Sequence, residues 1–364
     1  MSDGSAAGGG SDPAAGEGPD PAAGEGPDPA AARDARSGRL ADLGPQVGIG
    51  VCYLATVLGG MALADEAAAA GLAAFENAHS VGNVGVFAVY VLLGTVFMLL
   101  AFRYGRGIDL IRLFLAAVFG AMAANALLLL TGVGGVADAT SALGGLPATP
   151  LGAGLAVAFV AALWVYPEWY VIDVVGILGG AAVIPMFGLG FGPLPIVVLL
   201  VVWAGYDAYA VYGSGHMKEL ASGVGDLKVP VVFVVPTELG ASFRDAEFPD
   251  LSAEDDGDES SDAAEADPLP VTLLGLGDAI IPGMLAVSAG RFLDAPTVIP
   301  ALNANAPALG ALLGGVVGLA ALGYIAREFE GVHAGLPPLN AGVLGGYLAG
   351  SLAAGLPLAA ALGL

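Results

Sequence analysis

The 364-residue chain is poor in charge: 12% of its residues are Asp, Glu, Lys or Arg, about half the share of a water-soluble domain. That shortage, beside 56% hydrophobic residues and a mean hydropathy of +0.79, excludes an ordinary soluble globule and implies a polytopic membrane protein. Cations are scarcer still. Eleven Lys and Arg face 34 acids, for a net charge of −23. Nucleic-acid binding is excluded as a main activity, because phosphate recognition needs clustered Lys or Arg. Only Lys218 and Lys228 are lysines. Acid excess with so few lysines is the surface chemistry of proteins that live in molar salt, where self-repulsion is screened, and implies a halophilic archaeal source. A single cysteine, Cys52, rules out an intrachain disulfide and reads as a small buried apolar side chain. Three histidines, His79, His216 and His333, are scattered, and no His-Glu-x-x-His is present, which argues against a zinc protease. No second His–Ser arrangement stands at the depth of Ser214 and His216, so a serine mechanism is a poor fit. No phosphate-cradling loop or metal-ligand cluster is visible, and no cofactor is expected.

What is present falls into four parts. Residues 1–40 carry the octad Asp-Pro-Ala-Ala-Gly-Glu-Gly-Pro at Asp12 and again at Asp20, decaying from Asp28. Such a composition cannot build a core, so a disordered acidic tail is expected. It lacks the basic and apolar pattern of a signal peptide. Residues 45–213 and 270–363 hold apolar runs long enough for the ~20 helical residues that cross a bilayer. They lie near 46–64, 80–102, 110–133, 148–166, 170–190, 191–213, 270–290, 305–326 and 338–363, which predicts an all-α membrane protein of nine spans. Glycines within them, such as Gly314-Gly315 and Gly345-Gly346, predict close helix packing. Ten of the eleven cations fall on one side if the N-terminus is cytoplasmic, and only Arg291 falls on the other. The positive-inside rule then puts the C-terminus outside. The fourth part, 214–269, is a cytoplasmic loop. Its β-branched segment 229–235, with Pro230 near its start and Pro236 just after it, predicts a short strand. Its segment 245–267 holds eleven acids and no cation, and is expected to be solvated and disordered.

A carboxylate inside a span costs roughly 2.5–3.5 kcal/mol at the helix centre, so each one calls for a reason. Asp207 lies in the sixth expected span within Tyr206-Asp207, and Asp278 in the seventh within Gly275-Leu276-Gly277-Asp278. Counted from the cytoplasmic ends, Asp207 is about six residues deep, roughly 9 Å, and Asp278 about eight residues, roughly 12 Å. Two acids at one level on consecutive antiparallel spans can meet. A touching pair cannot cheaply ionise twice, and a shared proton suits the activation of water and the protonation of a leaving amine. Packing, a proton relay or an ion site remain open for each acid alone. Asp173 sits close to the start of the fifth span, where an acid suits a helix N-terminus.

These residues carry a resemblance. Tyr206-Asp207 and Gly275-Leu276-Gly277-Asp278, in consecutive spans separated by a long loop, are similar to the motifs of the presenilin and signal-peptide-peptidase family of intramembrane aspartyl proteases. The orientation matches the presenilin type, as in an archaeal presenilin homologue. The family's Pro-Ala-Leu motif opens its ninth span; here Leu336-Pro337-Pro338-Leu339-Asn340 stands there, with Pro338 in place of Ala. A literal Pro307-Ala308-Leu309 opens the eighth span, at the opposite face. The resemblance implies that Asp207 and Asp278 are the catalytic pair. It places Tyr206 where it can pack or bond near Asp207. It also implies that Gly275 and Gly277, lacking side chains, leave room for a substrate backbone, that Leu276 between them belongs to the substrate-binding segment, and that Pro337, Pro338 and Leu339 line the groove. The implied reaction is cofactor-free hydrolysis of a peptide bond within the membrane span of a single-span protein. The strand at 229–235 is a candidate for pairing with an unwound substrate. A proton-coupled transporter or cation channel would also use paired intramembrane acids, although no second Tyr-Asp or Gly-x-Gly-Asp marks a repeated half. A silent membrane scaffold is the third alternative.

Overall fold

Helices dominate because the chain is built from long apolar runs whose backbone polar groups find no water and must bond within the run. The computed structural model describes residues 29–103, 108–132, 149–214, 230–237, 240, 242, 271–328 and 334–364. Of the expected disordered tail at 1–40, residues 1–28 lie outside them, as does the acidic run at 245–267, whereas the stretch from Pro29 is helical, a correction to that expectation. Two units form, Met1–Ala41 and Asp42–Leu364. Of the first, only the opening of helix α1 (Pro29–Ala62) is described. Everything below concerns the second.

After α1 come a short α2 (Ala64–Ala69), then α3 (Gly82–Arg103), α4 (Ile108–Leu130), α5 (Pro150–Val165), α6 (Trp169–Gly190) and α7 (Pro193–Tyr209), which runs into a π-helical turn at Ala210–Ser214. Strands β1 (Val232–Pro236) and β2 (Val271–Gly275) precede α8 (Leu276–Phe292). A hairpin of β3 (Thr297–Ile299) and β4 (Ala304–Asn305) leads to α9 (Ala306–Glu328), α10 (Leu336–Ala353) and a terminal turn, α11 (Leu358–Ala361). Among the described residues, five stretches are long and apolar enough to cross a membrane: Gly44–Ala62, Asp109–Leu130, Trp169–Gly190, Pro193–Tyr212 and Ala306–Glu328. Gly82–Met98 and Pro150–Val165 are apolar but shorter.

Local chemistry sets many of the boundaries. Thr149 caps α5 by accepting the Gly152 N–H at 3.1 Å, with Pro150 at the first helical position, where a missing N–H costs nothing. Asn305 caps α9 by accepting the Ala308 N–H at 3.0 Å, and its amide donates to the Ala289 carbonyl of α8 at 2.8 Å.

Three further expectations need correction. The run from 270 does not begin a helix. Val271–Gly275 is a strand paired antiparallel with β1, so α8 starts at Leu276. The fold is therefore not purely helical. The predicted strand at 229–235 is real but shifted to Val232–Pro236. The single span expected over 338–363 breaks after Ala353, where Gly355 takes a positive φ of 77° that favours glycine, and Pro357 follows.

Small residues set the packing. Along α9, Gly310, Gly314 and Gly318 recur every fourth residue, and along α10 so do Gly342, Gly346 and Gly350. The two backbones touch there. A Cβ on Gly346 would lie 2.8 Å from the Gly314 Cα and collide with the Gly310 carbonyl, and one on Gly318 would lie 2.8 Å from the Leu339 Cα. This is the small-residue contact that lets helices associate without a hydrophobic drive. Gly345, beside it, faces open space. α6 packs on α8 in the same way, with Gly188 against Val287. The main core gathers Tyr53, Phe191, Phe233, Met284 and Tyr347, all buried.

Candidate active site

Asp278 owes its place to the strand-to-helix junction. Gly275 ends β2 and is the N-cap of α8, which makes Asp278 the third residue of the helix. At that position a carboxylate can reach back to the N-cap N–H, one half of a capping box, and Asp278 does accept the Gly275 N–H. The junction is held from the other side, because the next N–H, that of Leu276, donates to the Val231 carbonyl at 2.9 Å. The depth count from residue 270 is therefore revised: Asp278 is in the first turn of its helix, preceded by a strand.

Gly275 lies against the acid. A Cβ there would sit 3.1 Å from Asp278 Oδ2. Leu276 is buried in the main core. Gly277 is exposed, with nothing within 4 Å of where a Cβ would project.

Asp207 lies in the last turn of α7, which packs against α8 and α10. Its Oδ2 accepts the backbone N–H of Leu336 at 3.0 Å, and the Gly335 backbone also bonds to it. Leu336 opens α10, so the expected Leu336-Pro337-Pro338-Leu339 segment reaches the acid through its backbone. Pro337 and Pro338 are half-buried, and Leu339 is fully buried against Gly318 of α9. α7 packs on α8, so the two acids stand on neighbouring helices. Both are partly exposed.

Tyr206 points elsewhere. One residue along a helix turns the side chain by about 100°, and its ring is exposed beside Trp203, centroids 6.5 Å apart. The literal Pro307-Ala308-Leu309 is remote from the acids. Pro307 packs against Gly350, toward the far end of α10 from Leu336.

Three residues join the site that the sequence did not single out for it. Asn340, buried, donates to the Leu200 carbonyl of α7 at 2.8 Å, and the Tyr212 hydroxyl accepts the Ala334 N–H at 3.4 Å. Together with Asp207 they stitch the start of α10 to α7. A buried amide one residue after the proline motif was the available signal for Asn340. Asp173 is the third. It does not face solvent at the start of α6 but is buried, accepting the Val234 N–H of β1 at 2.8 Å and the Cys52 thiol of α1 at 3.9 Å.

In an antiparallel ladder the N–H groups alternate between the two edges. The Leu276 bond to Val231 sets the phase. The Val234 N–H then faces away from β2, where Asp173 takes it, and the Leu273 groups face away from β1. So β1 is engaged on both edges, and among the described residues the open edge belongs to β2, ending at Gly275 beside Asp278. Among the described residues no cluster of His, Cys, Asp or Glu could hold a metal. His79 packs its ring on Phe292, centroids 5.2 Å apart; His216 and His333 lie outside the described residues.

Residues 49–356 match the family model for signal-peptide peptidase, presenilin aspartyl protease. A solved structure described as a presenilin family intramembrane aspartate protease in the C222 space group aligns with 33% identity and a TM-score of 0.56, covering 85% of this chain and 100% of that one. A second, in the P2 space group, aligns at 31% identity with the same TM-score of 0.56, covering 85% and 98%. No curated protein matches the chain.

Proposed function

The chain belongs to the signal-peptide peptidase and presenilin family of intramembrane aspartyl proteases, a multi-pass membrane hydrolase, and from that premise we propose that Asp207 and Asp278 are its catalytic pair. The observation that supports the assignment is that the two acids stand on the packed helices α7 and α8, with Asp207 hydrogen-bonded to the start of α10. Family and fold favour hydrolysis over the transport alternative.

The proposed step is general acid–base hydrolysis. One carboxylate takes a proton from a water, and the oxygen of that water bonds to the scissile carbonyl carbon. The other acid gives its proton to the carbonyl oxygen. The tetrahedral diol then collapses as the C–N bond breaks, and the amine leaves with a proton returned by the pair. Which aspartate starts as the base is a property of the coupled pair.

The proposed substrate is a single-span membrane protein whose helix unwinds at the cut, since a helix's own hydrogen bonds shield the scissile carbonyl. The open edge of β2 at Leu273 is suited to pair with that extended segment, bringing it past Gly277 to the acids. The Pro337-Pro338 helix start forms the opposite wall. Nine crossings, by α1 and α3 to α10, with a cytoplasmic N-terminus and an outer C-terminus, accord with the ten cations on one side.

The test is purified full-length protein in lipid with a single-span reporter. Cleavage is expected, with loss in both Asp207→Ala and Asp278→Ala and inhibition by a hydroxyl-bearing transition-state mimic. Cleavage that survives either substitution overturns the assignment.

A further inference from the structure

We propose that Asp173 is a positioning residue for the cleavage reaction: its carboxylate pins strand β1 to α6 and thereby fixes the register of β2, the strand that carries Gly275 and presents the open edge. The proposal rests on the function proposed above and assigns to that site a residue three elements away in sequence.

The argument starts from burial. Asp173 is 4% exposed, Val234 0% and Cys52 8%, so the contact is closed to solvent on all three elements. Each carboxylate oxygen has a partner. Oδ1 accepts the Val234 N–H at 2.8 Å and Oδ2 the Cys52 thiol at 3.9 Å. A two-stranded sheet is marginal by itself and needs packing against something firm. Here β1 is walled by α6, where Gly176 admits the Phe233 ring 3.3 Å from the position of a Cβ. Apolar walls do not choose a register, because a slide of two residues restores the same faces. A point acceptor does choose. Here the second oxygen is committed to Cys52, and Oδ1 takes the N–H of Val234 at one fixed point along β1. From Val234 the register runs Val234↔Leu273 and Val232↔Gly275, and Leu276 opens the helix of Asp278. The anchor, the strand pair, the glycine N-cap and the acid form a chain of four members. Without the carboxylate the Val234 N–H is left buried and unbonded, which is the strongest reason for the strand to move.

The consequence is specific. A substrate segment paired to the β2 edge inherits its register from Asp173, so the anchor sets which peptide bond meets the acids. The experiment compares wild type, Asp173→Asn, which keeps an acceptor oxygen but no charge, and Asp173→Leu, which has neither. Cut positions in a single-span reporter are read by mass spectrometry, together with KM, kcat and amide exchange over 232–236, all in full-length protein in lipid. Asp173→Leu is expected to raise amide exchange at Val234 at least ~10-fold, raise KM ~10-fold, and spread cleavage over neighbouring bonds. Asp173→Asn should keep the wild-type cut position, with exchange within ~3-fold. If Asp173→Leu is not recovered folded, Val234→Pro removes the donor instead, on an edge where proline costs no ladder bond, and the same spread is expected. The proposal is overturned if Asp173→Leu leaves exchange unchanged, if it cuts at one unchanged bond with unchanged KM, or if Asp173→Asn behaves as Asp173→Leu. A mere loss of fold lowers the amount of active enzyme without moving the cut position. Should wild type leave the reporter intact, or Asp278→Ala still cut it, the protease reading itself fails, and amide exchange still decides whether Asp173 holds the strand.

Discussion

Asp207 of α7 accepts the backbone N–H of Leu336 at 3.0 Å, and Leu336 is the first residue of α10. An acid and a proline-stiffened helix start are thereby one hydrogen-bonded unit. Proline at the second and third helical positions gives up N–H groups that would have no intrahelical partner, so the Leu336 N–H is left as a donor aimed at the acid.

The acids can be removed without removing the fold. Asp207→Asn keeps an oxygen for the Leu336 N–H, and Asp278→Asn keeps one for the Gly275 N–H. Either is expected to lower reporter cleavage at least ~1,000-fold, because proton transfer is lost, while the thermal midpoint in detergent moves by a few degrees at most. Cleavage and melting measured on the same preparations check this.

Coupled carboxyls titrate as a pair, so activity should require one proton on the two of them. The rate is expected to fall toward acid, where both are protonated, and toward alkali, where both are ionised. A kcat/KM profile from pH 4 to 9 with two limbs supports a dyad. A single limb would remove it.

The two glycines before Asp278 differ in what surrounds them. Gly275→Ala puts a methyl 3.1 Å from Oδ2, a contact tighter than a relaxed carboxyl accepts, and should cut kcat ~10-fold or more. Gly277→Ala meets nothing within 4 Å, so stability should be unchanged. Any loss there should appear in KM, as expected for a surface that substrate covers. Steady-state kinetics separate the two.

At Leu273 the N–H lies on the open edge of β2, away from β1. Leu273→Pro removes that donor and spares the β1 ladder. A substrate paired on this edge loses one hydrogen bond, worth about 1 kcal/mol, and KM is expected to rise ~5-fold with little change in kcat. An unchanged KM would place the substrate elsewhere.

Gly346 and Gly345 give a paired stability test. Gly346→Ala drives a methyl toward the Gly310 carbonyl and should cost ~1–3 kcal/mol or more, while Gly345→Ala enters open space and should be neutral. Denaturant titration in detergent distinguishes them.

The apolar runs made most helices legible, because length and hydropathy alone set them. The Tyr206-Asp207 and Gly275-Leu276-Gly277-Asp278 motifs located both acids for the same reason that they matter: a carboxylate in an apolar helix stands out. What the sequence hid was pairwise. Val271-Thr-Leu-Leu-Gly275 reads equally as a strand or as the opening of a span, and only its pairing with Val232–Pro236 decides. Asp173 at a helix start looked complete as a favourable end charge, yet its partner is 61 residues away in β1. The break after Ala353 was signalled by Gly355 and Pro357 within an otherwise apolar run. Tyr206, next to an acid in sequence, is turned aside by helical geometry.

Where the glycines of α9 and α10 meet, backbone touches backbone and no side chain stands between to yield. Neither helix can slip past its mate without lifting a whole glycine ridge out of its slot. The two therefore travel as a single slab. Any movement that parts Asp207 from Leu336 must either swing that slab bodily or fray its leading tip at Pro337 and Pro338, where the helix already has the fewest bonds to lose.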